Sequence, residues 1–195
     1  MSLMPSFEIG VCNAWLFMVI YPLQWIAVLV LPGQIGERTS HPAEFKQDLR
    51  GRMSGWVTQI FWIGATLYSI FLPLKMGTAW FYVGLGVFVI GLLILVWATL
   101  IVVRTAPDTP FTTGIYRFSR HPMYLSMILV YLAVSIAAAS WLFLLITVIT
   151  FFLQRLQMID EEKYCCRKFG HAYIEYMNIT PRWIGITKIR NQKWE

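Results

Sequence analysis

The chain has 195 residues, of which 57% are hydrophobic and 13% charged, and its mean hydropathy is +0.59. Soluble domains carry about 25% charged residues, so the deficit, together with long charge-free runs, excludes an ordinary soluble domain and indicates an integral membrane protein. The net charge of +6 sits mainly in loops and the tail, which orientation in a membrane explains without nucleic acid.

Taken in order, the first candidate span is 11–32, a run read as a retained helix because no Lys or Arg precedes it as in a signal peptide. Pro22 should kink it. The second and third candidates are 55–74 and 77–103, each close to or above the ~20 residues that cross a hydrocarbon core. Gly84, Gly86 and Gly91 mark close helix packing in the third. Trp56, Trp80 and Trp141 lie near span ends, as interfacial anchors do.

An uncharged run of 34 residues follows, from His121 to Gln154. As one helix it would be about 51 Å long, far more than a ~30 Å core accommodates. Two legs, 122–137 and 140–158, joined at the small residues Ala137 to Ser140, fit better. Charge supports this division. With five spans the Lys and Arg residues divide 15 to 1 between the two sides, whereas four spans would divide them evenly. The positive-inside rule therefore selects five, with both polar loops and the tail cytoplasmic. The expected fold is all-α: one polytopic membrane domain over 1–195, five transmembrane helices, the last two a hairpin, and a cytoplasmic helical segment at 159–195.

Two constellations carry chemistry. Segment 104–124 joins the third and fourth spans and contains Arg117, Arg120, His121, Tyr116 and Tyr124. Pro122 is a natural first helical residue, which sets His121 at a helix start, where free N–H groups and the helix dipole suit an anion. The arginines could be simple flank residues, but His-Pro-x-Tyr adds nothing to topology. The second constellation is Arg155 with Asp160, Glu161 and Glu162 at the end of the fifth span. Three adjacent carboxylates gain a helix nothing by themselves, and the hairpin returns them to the side that bears His121. No Cys/His spacing suggests a metal site.

At these residues the chain resembles the isoprenylcysteine carboxyl methyltransferase family and its phospholipid methyltransferase relatives. The match is Gly114-x-Tyr116, Arg120-His-Pro-x-Tyr124, Glu161-Glu162, Phe169-Gly170, Tyr173, Tyr176 and Pro181. It runs from about Pro107 to Pro181, and the earlier spans match only as generic membrane helices. Two departures stand out. Ser126 occupies a position where the family usually has Gly. Gln157 lies where the family commonly places an arginine near the glutamate, which leaves Arg155 as the nearest.

The resemblance implies S-adenosylmethionine as methyl donor. Tyr116, His121, Pro122, Met123 and Tyr124 would line its pocket, and the backbone of Asp108, Thr109, Pro110 and Phe111 would cover it. Glu161, Glu162 and Arg155 would meet the acceptor, a lipid or prenylated substrate entering from the bilayer. No metal or nucleic acid is implied, and a monomer is expected. The leading activity is carboxyl O-methylation of an isoprenylcysteine. The alternatives are a phospholipid amine N-methyltransferase, a sterol-reductase-like protein binding NADPH, and a small transporter or channel subunit. The last would need polar groups along a midplane path, whereas here the ionisable groups collect at one face.

Overall fold

A computed structural model describes residues 9–30, 49–106 and 108–185. Residues 31–32 of the first expected span, Pro107 and the end of the tail lie outside them. The described residues form helices α1 (Trp15–Met18), α2 (Ile20–Val30), α3 (Leu49–Ile70), α4 (Ala79–Arg104), α5 (Pro122–Ala137), α6 (Trp141–Phe169) and α7 (His171–Ile179), with a 3₁₀ turn at Gly114–Arg117. No strand occurs among them, only an isolated bridge between Asn13 and Pro73.

Helix boundaries follow local chemistry. Thr78 caps α4 by accepting from the Phe81 N–H, and Thr105 closes its far end by donating to the Ile101 carbonyl at 2.7 Å. Pro122 opens α5, where its missing N–H costs nothing. The hairpin turns at Ala138 to Ser140. Ala139 takes a left-handed conformation (φ 51°), and the Ser140 hydroxyl accepts from the Phe143 N–H to start α6. The long uncharged run is thus two helices, divided as its length requires. The first expected span is also two pieces, but they part at Val19 rather than at Pro22. Pro22 has no N–H to donate to the Met18 carbonyl, which removes the bond that would tie one piece to the other.

Helices α4 and α6 are long and apolar enough to cross a bilayer. Helix α5 is apolar but shorter. The 29 residues of α6 measure about 43 Å, so the end that carries Asp160 to Glu162 projects beyond a ~30 Å apolar core. Large apolar side chains such as Val83, Ile90, Leu93, Val96, Leu145 and Phe152 are exposed along both helices. In water these would be a liability, but against lipid they are the expected surface.

The closest packing is between α4 and α5. A Cβ on Gly84 would lie 2.6 Å from the Ala137 Cβ and 2.8 Å from the Ala133 carbonyl, and one on Gly91 would lie 3.2 Å from the Leu129 Cβ. Two of the three expected glycines therefore serve helix approach. Gly86 does not, since its position faces open space. Phe17 of α1 stacks on Phe88 of α4 at 4.4 Å, and Tyr68 of α3 and Tyr131 of α5 both meet Phe143 at the α6 start. At the bundle end away from the carboxylates, Lys75 donates its N–H to the Ala137 carbonyl and Asn13 donates to Ile70, pinning the connections together.

Candidate active site

The hairpin returns α6 past the start of α5, and this brings the two sequence constellations into contact. His121 is buried at the α5 start, its backbone N–H held by the Ser119 hydroxyl at 3.1 Å. Its Nε2 lies 3.1 Å from Glu162 Oε1 and its Nδ1 lies 3.5 Å from Glu161 Oε2. Three residues on, almost one turn along the same face, Tyr124 donates its hydroxyl to Glu161 Oε1. One imidazole thus bridges two adjacent carboxylates, and a phenol holds one of them.

Glu162 carries the greater cationic load. Arg182 grips it in a fork, with Nη2 at 2.6 Å from Oε2 and Nε at 3.0 Å from Oε1. Arg120 Nη2 approaches Oε1 at 3.2 Å. Burial opposes ionisation of Glu162, but hydrogen bonds from His121 and Arg182 and the charges of Arg120 and His121 prevail, holding its carboxyl down at about 2. For His121, burial disfavours the imidazolium. The bonds and charges of Glu161 and Glu162 more than offset this, so its pKa lies above the ordinary imidazole value. The bond to Glu162 likewise raises Arg182.

The loop ahead of α5 is fastened from below. Tyr116 is buried in the 3₁₀ turn; its carbonyl accepts from the Tyr176 hydroxyl at 2.6 Å and its ring lies 5.6 Å from Phe111. Burial, with the nearby Tyr176 and Glu161, holds its phenol protonated far above the ordinary tyrosine value. Gly114 needs its left-handed φ of 57°, and a Cβ there would strike Ile101 at 2.8 Å. Asp108 is exposed, adopts a positive φ and pairs with Lys168 at 3.0 Å, which ties the loop to the end of α6. The exposed Thr109 donates to the Ala106 carbonyl, and Pro110 is half-buried beside it. Met123 packs against both apolar clusters.

Of the residues singled out in the sequence, His121, Tyr124, Glu161 and Glu162 converge, while Tyr116 lies in the adjoining turn, near enough for the Glu161 charge to bear on its phenol. Arg155 does not join them. It is exposed and borders an open depression of about 470 Å³ lined otherwise by Ile149, Phe152, Leu153 and Leu156. Glu162 is seven residues on, about 10 Å along the helix, too far for the same carboxylate to be held by both. The cationic partners are instead Arg120 and Arg182. Arg120 stood inside the recognised motif but read as a flank charge. Arg182 directly follows Pro181, the last residue of the resemblance, and only tertiary structure shows where it goes. The segment around it is strapped to the α5 approach: Arg120 donates its N–H to Pro181 O, Gly185 donates to Phe118 O, and Trp183 stacks on Phe151 at 4.6 Å.

A second open depression, of about 460 Å³, lies beside Glu162 and is lined by Ile159, Lys163, Cys166, Arg167 and Met177. Tyr116, His121 and Tyr124 take no part in it, so it is not the pocket the sequence implied.

This arrangement suits transfer chemistry without a covalent intermediate: rings to flank a planar base, a carboxylate pair to face a cation, and an apolar wall on the membrane side. Residues 77–172 match the phospholipid methyltransferase family. The matched segment starts at the cap of α4 and ends just past the α6–α7 corner, so it includes His121, Tyr124, Glu161 and Glu162 and stops short of Arg182. A search of curated proteins found no match. The match agrees with the motif resemblance at the level of membrane methyltransferases, enzymes that use S-adenosylmethionine. The residues present fit that donor. No side chain among the described residues caps the α5 N-terminus, so first-turn N–H groups face the loop; the loop carries one ring pair, Phe111–Tyr116, and the helix start another, His121–Tyr124, the second beside the Glu161 carboxylate.

Proposed function

We propose that the protein transfers a methyl group from S-adenosylmethionine to a lipid-borne acceptor at the membrane surface, and that the acceptor group is the carboxylate of an isoprenylcysteine. The observation that supports an anionic acceptor is charge. Arg120, Arg182 and His121 face Glu161 and Glu162, three cationic groups against two carboxylates while His121 is protonated.

The donor supplies an electrophilic methyl on a sulfonium. Tyr116, His121, Pro122, Met123 and Tyr124 would hold it, beneath the backbone of Asp108 to Phe111. Glu162, locked by its cations, fixes His121. Glu161, held by Tyr124 and His121, faces the reacting groups and stabilises positive charge. Arg182, 29% exposed on its side chain, is the cation an incoming carboxylate can reach, a role that Arg155 is too distant to fill. Joining an anion to a cation destroys charge, which a site with little water favours. Alignment of the two reactants is the remaining requirement.

In this reading the chain is a monomer with five spans, the site and tail face the cytoplasm, and the acceptor enters sideways between helices. The second reading, amine N-methylation of a phospholipid, is favoured by the family the matched segment bears. There Glu161 would take the proton an amine must lose. Incubating membranes with methyl-labelled S-adenosylmethionine separates the two. Base-labile label released as methanol supports the ester, and stable lipid label supports the amine. No transferred label on any lipid or prenylated acceptor would remove the proposal.

A further inference from the structure

The two open depressions both lie on α6, one of about 470 Å³ along Ile149 to Leu156 and one of about 460 Å³ from Ile159 to Arg167. They share a face. Ile149, Phe152, Leu156, Ile159, Lys163 and Cys166 follow one another at spacings of three and four residues, which is one stripe along a helix. The chemistry changes along it. The first half is apolar, with Phe152 and Leu156 exposed. The second half, at the end that carries the carboxylates, is rimmed by the exposed Lys163 and Arg167, and the exposed Arg155 stands between the halves. Depth gives Arg155 its meaning. Counted from Trp141 at the helix start, a ~30 Å apolar core ends near Glu161, so Arg155 stands about 9 Å short of that edge. An exposed guanidinium there costs free energy unless its head reaches an anion. Neither Arg155 nor Arg167 has an ion-pair partner among the described residues, and Lys163 pairs with Asp160 at 3.1 Å, an exposed contact that contributes little. Glu162 borders the second depression but is already held by Arg182, Arg120 and His121. Above an apolar groove, then, three cations face Asp160 alone.

We propose that this face of α6 binds an anionic phospholipid, with an acyl chain along Ile149, Phe152 and Leu156, the phosphodiester at Arg155 and the headgroup in the second depression beneath Lys163 and Arg167. The order of polarity along the stripe, apolar and then cationic, is that of an amphiphile standing in one leaflet. Charge selects the kind of lipid. A zwitterionic headgroup brings its own cation to Lys163 and Arg167, whereas an anionic one leaves the attraction uncancelled. Charge also disfavours a second copy of the chain, since two copies inserted in the same sense would set cations of equal depth against one another. Tyr116, His121 and Tyr124 border neither depression, so the site stands beside the methyl-transfer reading and does not rest on it.

The probes are dioleoyl phosphatidylglycerol, which is anionic, and dioleoyl phosphatidylcholine, which has the same chains and no net charge. Native mass spectrometry of the full chain released from detergent counts bound lipids and copies of the chain in one spectrum, without turnover. The wild type should bind the anionic lipid at least about tenfold more tightly, since each cation near a headgroup is worth roughly fivefold. Arg155→Ala, Lys163→Ala and Arg167→Ala should each lower that preference about fivefold, and the triple variant should lose it. Arg155→Lys should keep most of it. Phe152→Ala should weaken both lipids alike, because it touches only the chain groove. Arg104→Ala, which removes an exposed cation at the end of α4, should leave the preference within about twofold. Thermal unfolding in detergent checks that the variants stay folded, and phosphatidylglycerol should raise the melting temperature of the wild type and not of the triple variant. Equal binding of the two lipids, a preference that survives the triple substitution, or an equal loss in Arg104→Ala would each overturn the site. Wild-type dimers that Phe152→Ala dissociates would overturn it too, and would assign the face to a second copy of the chain.

Discussion

Replacing Glu162 by glutamine removes one charge from the centre of the cluster and leaves Arg120, Arg182 and His121 facing one another. The size of the effect follows from the carboxyl itself, which sits at about 2 rather than 4.5. That difference corresponds to at most about 3 kcal/mol of preference for the folded state. Arg182 is partly exposed, so screening brings the figure to ~2 kcal/mol. For a chain of this length, that is a fall of roughly 4–8 °C in melting temperature. The pH profile is the more telling assay. Because the folded-state carboxyl binds its proton less readily than the unfolded one, its contribution is full above about 4.5 and disappears as the pH falls toward about 2. Thermal unfolding of purified protein in detergent, followed from neutral pH down through that window, should show a steep acid limb in the wild type and a flattened one in Glu162→Gln. Equal melting temperatures at neutral pH together with superimposable acid limbs would refute the claim that this carboxylate anchors the cluster. On the alkaline side the contribution runs the other way. His121, raised by its two carboxylates, stabilises below the ordinary imidazole value and loses that contribution as the pH climbs past its raised one.

Glu161→Gln should lower kcat at least a hundredfold while calorimetric cofactor affinity stays within about threefold, since one interaction made in the transition state is worth several kcal/mol in such sites; full turnover would sink the division of labour between the two carboxylates. His121→Ala should weaken cofactor binding by tenfold or more, and unchanged affinity would count against the α5 start as the donor site. Arg155→Ala should change kcat/KM by less than about twofold, whereas Arg182→Ala should raise the acceptor KM about tenfold or more; the reverse order would restore Arg155 as the clamp. Gly84→Val forces side-chain atoms onto Ala137 and the Ala133 carbonyl and should cost about 1–3 kcal/mol, read as a lower melting temperature with cofactor affinity retained in the folded fraction.

Sequence alone determined the elements whose rules are local. A run of 34 uncharged residues is too long for one crossing, so a break at small residues was legible, and α5 and α6 part at Ala138 to Ser140. Pro122 marked a helix start because proline lacks the N–H that a first turn leaves unused. The residues of the His-Pro turn and the Glu161-Glu162 pair were legible too, because polar groups of those kinds have no topological purpose there. Even the contact between them could be anticipated, since a hairpin returns its second leg to where the first began. What only the tertiary structure decided was partnership. Arg155 is near Glu161 in the chain but points to the apolar exterior, while Arg182, twenty residues past Glu162, folds back through Pro181 and α7 to grip it. Helical phase and the path of a strap after a corner are set by packing over long sequence separations, and no spacing rule within one helix reports them. The same reason explains why Gly86 faces open space while Gly84 and Gly91 admit a neighbouring helix, and why Gln154, an unremarkable residue in an apolar run, is turned inward, its amide without a partner among the described residues.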